Sequence, residues 1–92
     1  MGDAAFAHDR ARALRARGAG SLRIEAELLA RGLPEAVVAG AIEASREGES
    51  EREWARRALR GTRDRARAWR LLLARGFPED VVEDVVGTPD GA

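Results

Sequence analysis

The sequence contains no cysteine, which removes disulfides, thiolate metal sites and thiol catalysis together. Its single histidine, His8, excludes a multi-histidine zinc site, and no serine stands near it in a triad motif. No run of about 18 apolar residues is present to cross a bilayer, and no apolar stretch of signal-peptide type follows Met1. No stretch shows the β-branched alternation of a strand, so no Gly-rich loop follows one to cradle a phosphate. Lysine, asparagine and glutamine are missing as well. A small domain without disulfides fits a reducing compartment, so a cytoplasmic location is expected. These absences argue against an enzyme, a cofactor and a membrane partner.

What is there is charge and aliphatic bulk. Hydrophobic residues make up 45% and charged residues 35% of the 92 positions, a balance that suits a compact helical protein and not a disordered one. Chains this short bury only about 60–65% of their unfolded surface, so the core must be thin. The net charge is zero, yet residues 51–75 carry nine arginines against three acids, and residues 76–92 carry five acids and no base. All sixteen basic residues are arginine. GC-rich coding accounts for such a bias without function; alternatively, the planar five-donor guanidinium suits phosphate or carboxylate recognition.

A fifteen-residue stretch occurs twice. Leu28 to Ile42 (LLARGLPEAVVAGAI) returns 44 positions later as Leu72 to Val86 (LLARGFPEDVVEDVV), with nine of fifteen positions identical. A repeat of this period marks stacked supersecondary units. The pattern predicts an all-α fold of six short helices, two tandem three-helix repeats in a small, elongated and curved array. The repeats span 3–48 and 49–87, and 88–92 form a frayed tail.

The first helix is expected over Ala4–Arg17, with Ala7, Ala11 and Leu14 at i, i+4, i+7. Gly18-Ala19-Gly20 breaks it, Ser21 is the expected N-cap of the second helix, and Gly32 its left-handed end. Pro34 fits the first turn of the third helix, and Gly48 ends the unit. Ser50 and Glu53 form a capping box for the fourth helix, Gly61 closes it, and Thr62 is the expected cap of the fifth. Gly76 and Pro78 repeat the punctuation of Gly32 and Pro34, and the sixth helix ends at Gly87. Ile24, Leu28 and Leu29 are expected in one core arc and Trp69, Leu72 and Leu73 in its counterpart, with Phe6, Trp54 and Phe77 also at core positions.

The candidate functional residues are arginines. Arg63, Arg67 and Arg70, at i, i+4, i+7, are expected to line one stripe facing away from Leu72, with Arg56, Arg57 and Arg60 adding charge on the preceding helix. Like charges on one face tend to meet an anionic surface, although a solvated face accounts for them equally. Arg23, Arg31 and Arg75 are secondary candidates; Arg31 and Arg75 precede the glycines that end their helices, where a cation suits the last free carbonyls. The clustered acids Glu79, Asp80, Glu83 and Asp84 read as a solvated face whose first members complement a helix N-terminus.

At these residues the chain resembles a known family. Asp3-Ala4-Ala5-Phe6-Ala7 opening a helix, then Gly20-Ser21-Leu22-Arg23-Ile24 with Glu27-Leu28 and Arg31-Gly32-Leu33, resembles the second repeat of the RecX family of bacterial regulators acting on the RecA recombinase. Trp69 to Phe77, a leucine-rich helix ending in Arg-Gly-Phe, resembles its third repeat. The resemblance implies tandem three-helix repeats that bind in the groove of the RecA–DNA filament and restrain its growth in recombination and repair. No cofactor is expected, the protein is expected to be a monomer, and its arginine-bearing face is expected to meet acidic protein surface or, without sequence readout, DNA phosphate. The family's first repeat has no counterpart here and its opening acidic pair is reduced to Asp3, so the chain is expected to be a fragment or a short member with a reduced clamp. A helix-turn-helix DNA-binding module is the alternative, opposed by the lack of asparagine and glutamine for base readout. A peptide- or ubiquitin-like-binding three-helix module over Leu72–Val86 is a third reading.

Overall fold

The computed structural model describes residues 2–87, which leaves the expected tail at 88–92 outside the described residues. Six helices follow one another: α1 Asp3–Ala16, α2 Ser21–Ala30, α3 Glu35–Ser45, α4 Glu51–Leu59, α5 Arg65–Arg75 and α6 Glu79–Val86. Among the described residues there is no strand, and no helix is long and apolar enough to cross a membrane. The body measures 49 × 20 × 16 Å, and its radius of gyration is 13.7 Å, against about 12 Å for a compact chain of this length. The protein is an elongated all-α array.

Helices α1–α3 enclose one core and α4–α6 another. The first holds Ala7, Ala11, Leu14, Ile24, Leu28, Val38 and Ala41, so alanines on α1 let it approach α3 closely. The second holds Ala55, Ala58, Leu72, Phe77, Val81 and Val82. The repeat exchanges volume between positions 44 residues apart. Ile24 corresponds to Ala68 and Leu33 to Phe77; Ile24, Ala68 and Phe77 are buried, while Leu33 is partly buried against its core. A bulkier turn residue thus offsets a smaller helix residue, the kind of volume-conserving exchange that cores tolerate best.

Two expectations about the core are corrected. Leu29 and Leu73 lie 40% and 42% exposed, because each is turned about 100° from the leucine before it, which takes the inward face. Phe6 is 44% exposed, since α1 buries the Ala7–Ala11–Leu14 line, and its ring lies 5.3 Å from the Arg31 guanidinium. Trp54 and Trp69 do pack against the second core, partly buried, and Phe77 is fully buried within it.

Helix starts differ from expectation in an instructive way. Ser50 does accept a hydrogen bond from the Glu53 N–H (3.1 Å). Thr62 does not cap α5: its hydroxyl donates to the Leu59 carbonyl (2.7 Å), and Asp64 accepts from the Arg67 N–H instead (3.0 Å). Ser21 does not cap α2 either. Gly20 occupies the cap position and offers no side chain. The unmet amides of α2 are satisfied from the other unit: Gly20 N–H donates to the Arg75 carbonyl and Leu22 N–H to the Gly76 carbonyl, both at 2.8 Å. Ser21 N–H donates to the Glu51 carboxylate, also at 2.8 Å. The start of α2 is therefore docked on the end of α5.

Glycine makes this approach possible. A Cβ on Gly20 would lie 2.6 Å from the Gly76 carbonyl and the Phe77 nitrogen, and one on Gly76 would lie 2.4 Å from the Arg23 Cβ. Gly76 also has φ +95°, a region closed to most side chains. Around this contact lies a buried polar cluster. Arg15, 2% exposed, donates to Glu51 (2.9 Å) and to the Ser45 hydroxyl (3.2 and 3.3 Å), and Arg46 donates to the other Glu51 oxygen (2.9 Å). The Trp54 indole N–H donates to the Arg46 carbonyl (3.0 Å). Burial alone pushes the Glu51 carboxyl up, but the hydrogen bonds from Arg15 and Arg46, the Arg15 charge and the Ser21 amide outweigh it, leaving it below its ordinary value.

Two stability predictions follow from this joint. Gly20→Ala, although its φ of −90° suits alanine, is expected to cost about 1–3 kcal/mol through forced backbone displacement. Gly40→Ala, in an open position of α3, is expected to gain about 0.5–1 kcal/mol. Urea unfolding of both variants checks the contrast. For Glu51, whose folded carboxyl titrates below its unfolded value of about 4.3, the stabilisation is present above that pH and is lost as pH falls through the folded value. Glu51→Gln is expected to be less stable than wild type at pH 7 and to lose part of the acid-range slope, as measured by thermal unfolding between pH 2.5 and 7.

Candidate basic interface

Arginines fall into two classes in the fold. Some are held by carboxylates: Arg10 pairs with Glu27, Arg12 with Glu47 (3.1 Å), and Arg52 with Asp84 (2.8 Å). Others have no carboxylate within ion-pair distance among the described residues, and only these have full capacity for an external anion. The sequence candidates divide between the two classes.

Arg56 pairs with Glu53 (2.8 Å), and Arg57 pairs with Glu49 (3.1 Å) while lying 4.6 Å from the Trp54 ring. Arg31 reaches Glu27 at 3.5 Å. The expected stripe on one helix is corrected. Arg63 precedes α5 and its Asp64 cap, so it is not in helical register with Arg67 and Arg70. Arg67 and Arg70 are exposed on α5, with Asp64 at its start. The Asp64 carboxyl is held below its ordinary value first by the Arg67 backbone N–H and, less, by the Arg67 and Arg70 charges. An acid thus stands at the head of the helix that carries Arg67 and Arg70.

The convergence lies at the joint instead. Arg75, expected to serve the end of its own helix, turns its guanidinium to the last turn of α1 and donates to the Arg17 carbonyl (3.3 Å). It covers Gly18, where a Cβ would come within 2.2 Å of its Nη1. A cation there meets the partial negative charge of the α1 C-terminus. Two small clefts open beside it. One, of about 130 Å³, is lined by Arg17, Arg57, Arg60 and Arg75 together with Gly18 and Trp54. The other, of about 300 Å³, is lined by Arg17, Arg23 and Arg75 with Leu14 and Ala19. Among the described residues no carboxylate lines either cleft.

Four of the sequence candidates, Arg23, Arg57, Arg60 and Arg75, are thus brought together, and Arg63, Arg67 and Arg70 line neither cleft. Arg17 was missed. It lies 40 residues or more from Arg57, Arg60 and Arg75 in the chain, and no local pattern announces it; only the docking of α2 on α5 makes them neighbours. Glu51, Arg15 and Ser45, which hold that docking in place, were missed for the same reason.

Comparison with protein families matches residues 3–42 to RecX, second three-helix domain. The matched segment covers α1, α2 and most of α3, and includes Arg17, Arg23 and the Gly20 contact. Neither the curated proteins nor the solved structures contain a match to this chain.

Proposed function

We propose that the protein, whose residues 3–42 match the second three-helix domain of RecX, binds the RecA–DNA filament and restrains its activity, presenting the arginine-lined side of the joint. The observation that carries this reading is the convergence of Arg17, Arg23, Arg60 and Arg75 on one side of the joint between the units, with no carboxylate of the described residues lining the clefts. The resemblance of residues 49–87 to the third repeat of the family supports it, as does the narrow, elongated body, 49 Å long and at most 20 Å across. The protein acts as a cytoplasmic monomer in a regulatory and not a catalytic part.

The mechanism is obstruction. Guanidiniums held at fixed separations on a slender body engage carboxylates or phosphates of the filament groove, and the bound helical array stands where an incoming protomer must pack. Charge complementarity of this kind speeds encounter and sets register. Because Arg17 comes from the first unit and Arg60 and Arg75 from the second, the face exists only while the units are docked. The absence of asparagine and glutamine fits recognition of charge and shape in place of base edges.

The test is a RecA ATPase and strand-exchange titration with the protein and two variants. Wild type is expected to inhibit both activities. Arg17→Ala with Arg23→Ala, both exposed and without an ion-pair partner among the described residues, is expected to raise the half-inhibitory concentration about tenfold. Arg63→Ala with Arg67→Ala and Arg70→Ala is expected to raise it less. Wild-type protein without effect on RecA at saturating concentration would remove the proposal; a larger loss in the triple variant would move the interface to α5.

A further inference from the structure

The first unit carries a second concave surface, made of different residues from the arginine clefts. Helices α2 and α3 turn Ile24, Leu28 and Ala41 into the core with α1 and leave a furrow on their outer side. It consists of two clefts, of about 310 Å³ and 260 Å³, which share Glu25 and Ala39 and so adjoin. The apolar part of the lining includes Leu22, Leu29, Ala39 and Ile42, and Leu22 and Leu29 are 50% and 40% exposed. Three acids line it as well, Glu25, Glu35 and Glu43. Glu25 and Glu35 have no arginine within ion-pair distance among the described residues. The one base in the lining, Arg46, is already held by Glu43 (2.6 Å) and Glu51 (2.9 Å). The repeat itself does not require this surface. At the equivalent positions of the second unit Ala66 replaces Leu22, Glu83 replaces Ala39, and Trp69, packed against its core, replaces Glu25. Nor does Glu25 serve its own helix, since it lies beyond the first turn of α2, where an acid would meet the dipole.

We infer that this furrow receives a basic amphipathic helix of a partner protein, about three turns long. Charge complementarity sets the sign of the occupant. Glu25 stands where the clefts meet, Glu35 in one and Glu43 in the other, so acidity runs the length of the furrow and repels nucleic acid and anionic lipid alike. The leucines set its apolar part: Leu22 and Leu29 lie two turns apart on α2, about 10 Å, a spacing that apolar anchors at i, i+4 and i+7 of a bound helix match. A helix fits better than an extended peptide. The walls are helices whose main-chain groups bond internally, so an extended chain would find no edge for its amides, whereas a helix satisfies its own. A second copy of the chain fits less well, because its α5 exposes Arg67 and Arg70 beside a single large apolar anchor, Leu73. No residue of the furrow lines the arginine clefts. Both faces can therefore be occupied together, and the protein joins an anionic surface on one to a basic helix on the other. The inference stands independently of the filament reading.

The experiment measures binding of the whole protein, by fluorescence anisotropy, to a labelled peptide of about 14 residues with leucine at i, i+4 and i+7, lysine flanking them and alanine elsewhere. A second peptide carries glutamate in place of lysine. Wild type is expected to bind the lysine peptide at least about tenfold more tightly than the glutamate peptide. Glu25→Arg with Glu35→Arg, both at exposed positions, is expected to reverse that preference, which no loss of folding would do. Leu22→Ser with Leu29→Ser is expected to weaken binding of the lysine peptide about tenfold or more, with helical circular dichroism unchanged. Asp80→Arg with Glu83→Arg makes the same charge change outside the furrow and is expected to keep the preference for lysine. No binding of the lysine peptide by wild type, an unreversed preference in the Glu25 and Glu35 variant, or equal effects of the two charge reversals would each overturn the proposal. Sedimentation of the protein alone is expected to show one species; self-association abolished by Glu25→Arg would give the furrow to a second copy and overturn it as well. RecA inhibition that survives such a result leaves the filament reading standing, and peptide binding without any effect on RecA supports the furrow and removes the filament reading.

Discussion

The structure depends on one exchange of hydrogen bonds between the ends of two helices. The first turn of any helix has amides without intrahelical partners, and the last turn has carbonyls in the same condition. Here the deficits cancel: Gly20 and Leu22 at the start of α2 donate to Arg75 and Gly76 at the end of α5. Each bond contributes about 1 kcal/mol net, which is modest, but leaving buried amides unmet costs more than the bonds gain. Closeness requires glycine on both sides, and the amide between the two donors is taken by Glu51, whose charge Arg15 and Arg46 balance. Away from this joint the two hydrophobic cores are separate. Alignment of the units is therefore set by polar geometry more than by apolar burial.

That alignment determines what the arginines can do. Composition supplies a surplus of guanidiniums between residues 51 and 75, and the fold sorts them. Those beside Glu49 and Glu53 are held within their own helix region, while Arg17, Arg23, Arg60 and Arg75, around two adjoining clefts, have no carboxylate partner among the described residues. The same Leu-Leu-Ala-Arg-Gly segment has different roles in its two copies. In the second it receives the neighbouring unit and carries Arg75 into the cleft; in the first, Gly32 meets open space and Arg31 is engaged by Glu27 and Phe6.

The fold was legible because its signals are local. Alanine and leucine at helical spacing, glycines at helix ends and prolines at helix starts place all six helices within a few residues, and the 44-residue repeat sets their grouping. The resemblance to the second RecX repeat rested on motifs between Asp3 and Leu33, which lie within the stretch that the family comparison matches, residues 3–42. Caps were read less well. Ser21 and Thr62 have the right chemistry for an N-cap, but Gly20 is capped by another unit and Asp64 is a stronger acceptor two positions beyond Thr62. The basic site was half legible: Arg57 and Arg60 read as charge on the fourth helix and Arg75 as a cation at a helix end, but nothing local reveals that Arg17 joins them, because the contact spans 58 residues and passes through a backbone carbonyl, which no side-chain pattern records.

The central claim is that the α2–α5 docking persists in solution, and backbone amide hydrogen exchange of the protein reads it at the atoms concerned. Gly20 and Leu22 stand at a helix start, where amides ordinarily exchange quickly. The account predicts that both are protected to a degree comparable with the core amides of α2, while the Asp64 and Arg65 amides at the corresponding start of α5 exchange fast. Exchange of Gly20 and Leu22 at the rate of Asp64 and Arg65 would contradict it, and with it the shared arginine face.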